Sequence, residues 1–203
     1  MHIECLVEES SARAALENLL PKMLPSDVTF QIHHFNGKPE LLRELPKRLK
    51  GYRKWLPEDY RIVVLLDEDR SDCRQLKQQL EEAALSAGFT TKSLAKNGRF
   101  TVLNRIVVEE LEAWFFGDME AVAKAFPRVA PKIGSKKKYR YPDAITGGTW
   151  EALERVLQRA GYFPAGIAKI ITAREISRWM EPERNTSQSF QAFKNGITAI
   201  LTS

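Results

Sequence analysis

Arg61-Ile62-Val63-Val64-Leu65-Leu66-Asp67-Glu68-Asp69 is the stretch that decides the fold. An unbroken apolar run of this kind suits a strand covered on both faces, as an inner strand of a parallel sheet is. Beyond its acidic end, Ser71 or Asp72 can cap a helix whose Cys73, Leu76, Leu80, Ala84 and Ala87 line one side before Gly88 stops it. Upstream, Ile3 to Val7 reads as a strand that turns at Glu8-Glu9-Ser10 into a helix marked by Ala15, Leu16, Leu19, Leu20 and Met23. Val28 to His34 is a second strand, Asn36-Gly37-Lys38-Pro39 a turn, and Leu41, Leu42, Leu45 and Leu49 a helix bent or interrupted at Pro46. Downstream, Phe89 to Ala95 reads as a weaker strand and Phe100 to Val108 as a firmer one, running into a short helix over Glu109 to Phe116 with Gly117 as its stop.

Strands alternating with helices over residues 1–117 predict an α/β domain, an open, mostly parallel sheet with helices on both faces. From Asp118 the pattern is helical only, so residues 118–203 are expected as a C-terminal extension packed on that domain. The chain of 203 residues is long enough for one core without disulfides or structural metal. Its longest apolar run, Ile62 to Leu66, falls far short of the ~20 residues of a membrane span, so no membrane partner is expected. Glu4, Glu8 and Glu9 stand where a signal peptide needs a basic start, which predicts a cytoplasmic protein. Cys5 and Cys73 form no metal or redox spacing.

Three of the strands end in acids. Glu8 and Glu9 follow the first, Asp67 and Asp69 the central one, and Glu109 the last, with Glu112 within one further turn of helix. In an open parallel sheet, sites form outside the carboxyl ends of the strands. A spacing of two points Asp67 and Asp69 to one side if the chain stays extended. Carboxylates crowded on one edge repel, and a hard divalent cation relieves the repulsion while keeping places for a phosphate. Strand ends also abut loops, where aspartate is ordinary turn chemistry, so the pair alone is not decisive.

Leu6-Val7-Glu8 followed by Leu65-Leu66-Asp67-Glu68-Asp69 resembles the TOPRIM domain of topoisomerases, primases and overcoming-lysogenization-defect nucleases. Val108-Glu109-Glu110-Leu111-Glu112-Ala113-Trp114 resembles the E-x-W element of small bacterial TOPRIM-like proteins of unknown function, some encoded beside ATPases in phage-defence loci. Arg184-Asn185-Thr186-Ser187-Gln188-Ser189-Phe190 is similar to that family's own extension. The resemblance implies Glu8 as general acid/base, Asp67 and Asp69 as catalytic ligands of Mg²⁺ or Mn²⁺, and Glu112, or else Glu109, as a further ligand. Two departures stand out. TOPRIM proteins carry glycine directly after the first glutamate, where this chain has Glu9, and Ala12 or Arg13 replaces a further expected acid.

The formal charge of +5 is unevenly placed. Residues 38–54 carry seven basic side chains (Lys38, Arg43, Lys47, Arg48, Lys50, Arg53, Lys54) against two acids, and residues 128–140 carry six (Arg128, Lys132, Lys136, Lys137, Lys138, Arg140) against none. The remainder sums to −6. Tyr52, Trp55, Tyr139 and Tyr141 lie among the basic residues, a combination that suits DNA or RNA. A solvated helix face and a charged loop are the plainer account of such runs. No P-loop, dinucleotide fingerprint, serine elbow or zincin motif is present. The residues therefore point to a Mg²⁺-dependent nuclease or related phosphoryl-transfer enzyme, working in phage defence with an ATPase partner as the resemblance implies. The alternative is a non-catalytic effector that docks on such an ATPase.

Overall fold

The computed structural model describes residues 1–69 and 71–203. Four parallel strands, β1 (His2–Val7), β2 (Thr29–His34), β3 (Tyr60–Asp67) and β4 (Val102–Val107), form a sheet in the order β2-β1-β3-β4. Their connections are α1 (Ser10–Met23), α2 (Lys38–Tyr52) and α3 (Cys73–Ser86). The run Ile62 to Leu66 is buried throughout, as an inner strand requires. Alternate side chains of β3 feed two cores. Val63 and Leu65 join α1 on one face, while Ile62, Val64 and Leu66 meet the leucines of α2 and α3 on the other.

The C-terminal region is α4 (Glu112–Phe116), α5 (Met119–Ala125), α6 (Thr149–Arg159), α7 (Lys169–Trp179) and α8 (Gln188–Ile200). Short 3₁₀ turns at Pro131–Ser135 and Pro142–Ala144 join α5 to α6. All these helices contribute to the core on the α1 face. Trp114 of α4 is fully buried between Phe190 and Phe193 of α8, and its indole N–H donates to Ser189 Oγ at 3.0 Å. Asn185 Nδ2 donates to the Trp114 carbonyl at 2.8 Å, so the Arg184 to Phe190 segment serves to fasten the tail to α4.

Two expectations need correction. Phe89 to Ala95 is not a strand: among the described residues its only ladder contact is the isolated bridge from Thr91 to Val102. Burial alternates only over Phe89, Thr90 and Thr91 and then fails, Ser93 and Leu94 both being exposed, so no buried side chain holds the rest of the segment against β4. Pro46 does not interrupt α2, which runs through it, because Leu41, Leu45 and Leu49 are anchored in the core on both sides of the proline.

Candidate acidic site at the sheet switch point

Strand β1 leads through α1 to a neighbour on one side, and β3 leads through α3 to a neighbour on the other. The topological switch point therefore lies between β1 and β3, and their carboxyl ends open a crevice there. Glu8 leaves β1 and Asp67 ends β3 at this crevice. The Asp67 N–H donates to Glu8 Oε2 at 3.1 Å, and the Leu111 N–H donates to Asp67 Oδ2 at 3.1 Å. The second bond ties the turn before α4 to the end of β3, which carries Glu112 towards the same place.

Burial and mutual repulsion act together on these acids. Asp67 and Glu112 are 9% and 5% exposed. Burial first, then Glu8 and Glu112, push the Asp67 carboxyl well above its ordinary range. Burial raises Glu8 as well, with the Asp67 N–H acting against the shift and the Asp69 charge adding to it. Glu112 is pushed up to about 7 by burial, against the pull of the Lys169 ammonium. Conversely, burial would lower Lys169, but Glu112, Glu9, Glu110 and Asp67 together raise it. Its ammonium lies 4.5 Å from the Trp150 ring centroid, seated at the start of α7 against the acids.

Asp67 thus stands in electrostatic contact with both Glu8 and Glu112, and Asp69 with Glu8, although Asp69 does not continue the strand alongside Asp67. The chain leaves the extended conformation after Asp67: Asp69 adopts φ 51°, its N–H donates to the Glu109 carbonyl at 2.7 Å, and Lys38 Nζ lies 2.7 Å from its carboxylate. The same ammonium donates to the Glu68 carbonyl at 2.9 Å. Glu109 also has positive φ, at 62°, and its N–H donates to Glu68 Oε2. With Asp69, Ser71, Glu110, Gly147, Gly148 and Glu151 it lines a cleft of about 540 Å³ beside the crevice. Glu110 accepts from Thr149 Oγ1 and the Trp150 N–H, at 2.9 and 2.8 Å, and so caps α6.

The donor chemistry fits a hard divalent cation: the acids offer oxygen only, and three of them resist ionising together. Their arrangement is looser. Among the described residues no three His, Cys, Asp or Glu side chains are gathered as a metal-holding group.

Sequence reasoning missed Lys38 as a member of this edge, although it stands four residues past the end of β2 and had to emerge there. Lys169 reads in the sequence as a helix-surface lysine able at most to neutralise a phosphate, and the packing of α7 is what brings it to Glu112. The basic residues assigned to nucleic acid lie where solvent reaches them. Arg43, Lys47, Lys50, Arg53 and Lys54 are exposed on and just after α2, with Arg48 half-buried, and Lys136, Lys137, Lys138 and Arg140 are exposed between the two 3₁₀ turns. Of the rings among them, Tyr52 and Tyr139 are buried, Tyr139 stacked on Phe116, which leaves Trp55 and Tyr141 accessible.

A doubly wound α/β sheet with an acidic switch point and a helical tail sharing its core is the class these observations define. The chain belongs to the family described as a domain of unknown function, DUF4276, whose model matches residues 7–198. No curated protein and no solved structure matches it.

Proposed function

We propose that this chain is a metal-dependent phosphoryl-transfer enzyme, a nuclease acting on DNA or RNA. The observation that carries the reading is buried Asp67 at the switch point, bonded through its N–H to Glu8 and repelled by both Glu8 and Glu112, with all three holding their protons more tightly than an ordinary carboxyl. Glu8, Asp67 and Glu112 are the residues that would hold Mg²⁺ or Mn²⁺, and Asp69 joins them only on parting from Lys38. When bound, such an ion supplies charge neutralisation and polarisation of the scissile phosphate. Glu8, with its raised proton affinity, takes or gives the proton at the reacting oxygen. Lys38 and Lys169 are the chain's own cations at this edge and meet non-bridging phosphate oxygens. The exposed basic segments track the rest of the strand. The resemblance to TOPRIM-like proteins encoded beside ATPases supports a setting in phage defence.

Incubation of the purified chain with single- and double-stranded DNA and RNA plus Mg²⁺ or Mn²⁺ tests this reading. Cleavage is expected, falling by at least about 10²-fold in Asp67→Asn/Asp69→Asn. Cleavage that survives the double change overturns the assignment. A second reading is favoured by the absence of a gathered metal group among the described residues and by the lysines that already balance Asp69 and Glu112. In it the chain is an effector that acts only when docked on an ATPase partner. Metal-dependent cleavage by the isolated chain removes that alternative.

A further inference from the structure

A groove of about 510 Å³ runs along α2 at the β2 edge of the sheet, away from the acidic crevice. It is lined by Phe35, Glu44, Lys47, Arg48, Gly51, Tyr52 and Trp55. Residues 44 to 55 span about 16 Å if the helical rise is kept throughout, room for a base with its sugar and phosphate.

The floor of the groove is held from beneath. Tyr52 is buried, and its hydroxyl donates to Glu4 Oε2 at 2.9 Å. Glu4, itself buried in β1, also faces His33 Nε2 at 2.6 Å and His2 Nε2 at 3.4 Å. The Trp55 ring is steeply inclined to Tyr52 at 5.4 Å and to Tyr60 at 6.4 Å, yet 57% of Trp55 remains in solvent. Two ring contacts hold the indole in place while more than half of it stays open to a stacking partner.

The groove wall carries two cations, Lys47 and Arg48, and one carboxylate, Glu44. Arg48 lies with Nε 3.3 Å from the Tyr52 hydroxyl and has no carboxylate partner among the described residues. Lys47 reaches Glu44 only at 3.4 Å, while Arg43 Nε holds the same carboxylate at 2.9 Å. An apolar peptide laid here would strand these charges, and an inorganic anion would leave the ring unused. An aromatic base carrying a phosphate uses both.

We propose that this groove binds one nucleotide unit, its base stacked on Trp55 and its phosphate held by Arg48 and Lys47. The inference does not need the acidic crevice to be catalytic, and its test excludes metal.

Isothermal calorimetry on the full chain in EDTA would use AMP, adenosine, inorganic phosphate and a single-stranded oligonucleotide. AMP is expected to bind more tightly than adenosine or phosphate. Trp55→Ala is expected to weaken AMP at least about tenfold and Trp55→Phe far less, the pattern of a lost and a conserved stack. Unchanged circular dichroism and melting of Trp55→Ala exclude a folding effect. An oligonucleotide that binds through Trp55 more than about tenfold tighter than AMP identifies a strand as the source, whereas equal affinities identify a free nucleotide. Failure of both AMP and oligonucleotide to bind overturns the proposal, as does equal binding to Trp55→Ala. Either failure leaves metal-dependent cleavage at Asp67 to be judged separately.

Discussion

Glu112 carries a buried carboxyl whose proton affinity is raised from 4.5 to about 7, and this fixes a direction for stability against pH. Below about pH 4.5 the group is protonated in both folded and unfolded chains and contributes nothing. As pH rises the unfolded chain releases its proton first, so the native state loses stability until about pH 7, beyond which the penalty is constant. A shift of that size corresponds to about 3 kcal/mol. Asp67 and Glu8 are shifted in the same direction and add to the trend. In chelating buffer the wild type is expected to melt lower at pH 8 than at pH 5, and Glu112→Gln to melt higher than wild type at pH 8 with a shallower slope. An unchanged slope in Glu112→Gln would show that the carboxyl is not held as described. The E-x-W spacing marked Glu112 in the sequence, but its coupling to Asp67 depends on the Leu111 N–H bond, which no spacing reveals.

Individual elements were legible wherever one physical cause dominated. The apolar run of β3 fixed an inner strand because burial on both faces leaves no other use for five consecutive apolar residues. The start of α3 was narrowed to Ser71 or Asp72, and Asp72 is the cap, accepting from the Arg74 and Gln75 N–H groups at 2.8 and 3.3 Å. Asp72→Ala is expected to cost about 1 kcal/mol in chemical denaturation, the loss of one such cap. A change near zero would mean water replaces it fully. Misreadings arose where tertiary context overrode a local rule. Pro46 lacks the donor that an inner turn of α2 needs, yet the leucines on both sides hold the helix to the sheet. In 89–95 only Phe89 and Thr91 find a buried face, and pairing with β4 stops at the single bridge from Thr91 to Val102.

At the scale of the whole molecule, the helical tail is fastened rather than appended. Asp118 is fully enclosed and receives Arg184 through two nitrogens at 2.8 and 2.9 Å. Lys22 of α1 donates to the carbonyls of Ser177, Arg178 and Met180 at the end of α7. The basic and acidic blocks were plain in the sequence; the fold brings Lys38, from the first basic block, and Lys169 to the acid edge and leaves Arg43, Lys47 and Lys50 of α2 in solvent. This placement was invisible in the net charge and follows from topology, since the parallel strands bring their acidic ends to one edge. The proposal that Asp67, with Glu8 and Glu112 around it, takes up a divalent cation is tested most directly by melting with and without Mg²⁺ or Mn²⁺. An ion present at about a hundred times its dissociation constant adds about 2.7 kcal/mol, a rise of roughly 5–10 °C for a chain of this size. The account predicts that rise at pH 8 in the wild type and its loss in Asp67→Asn/Asp69→Asn; equal responses of the two proteins, or none in either, would contradict it.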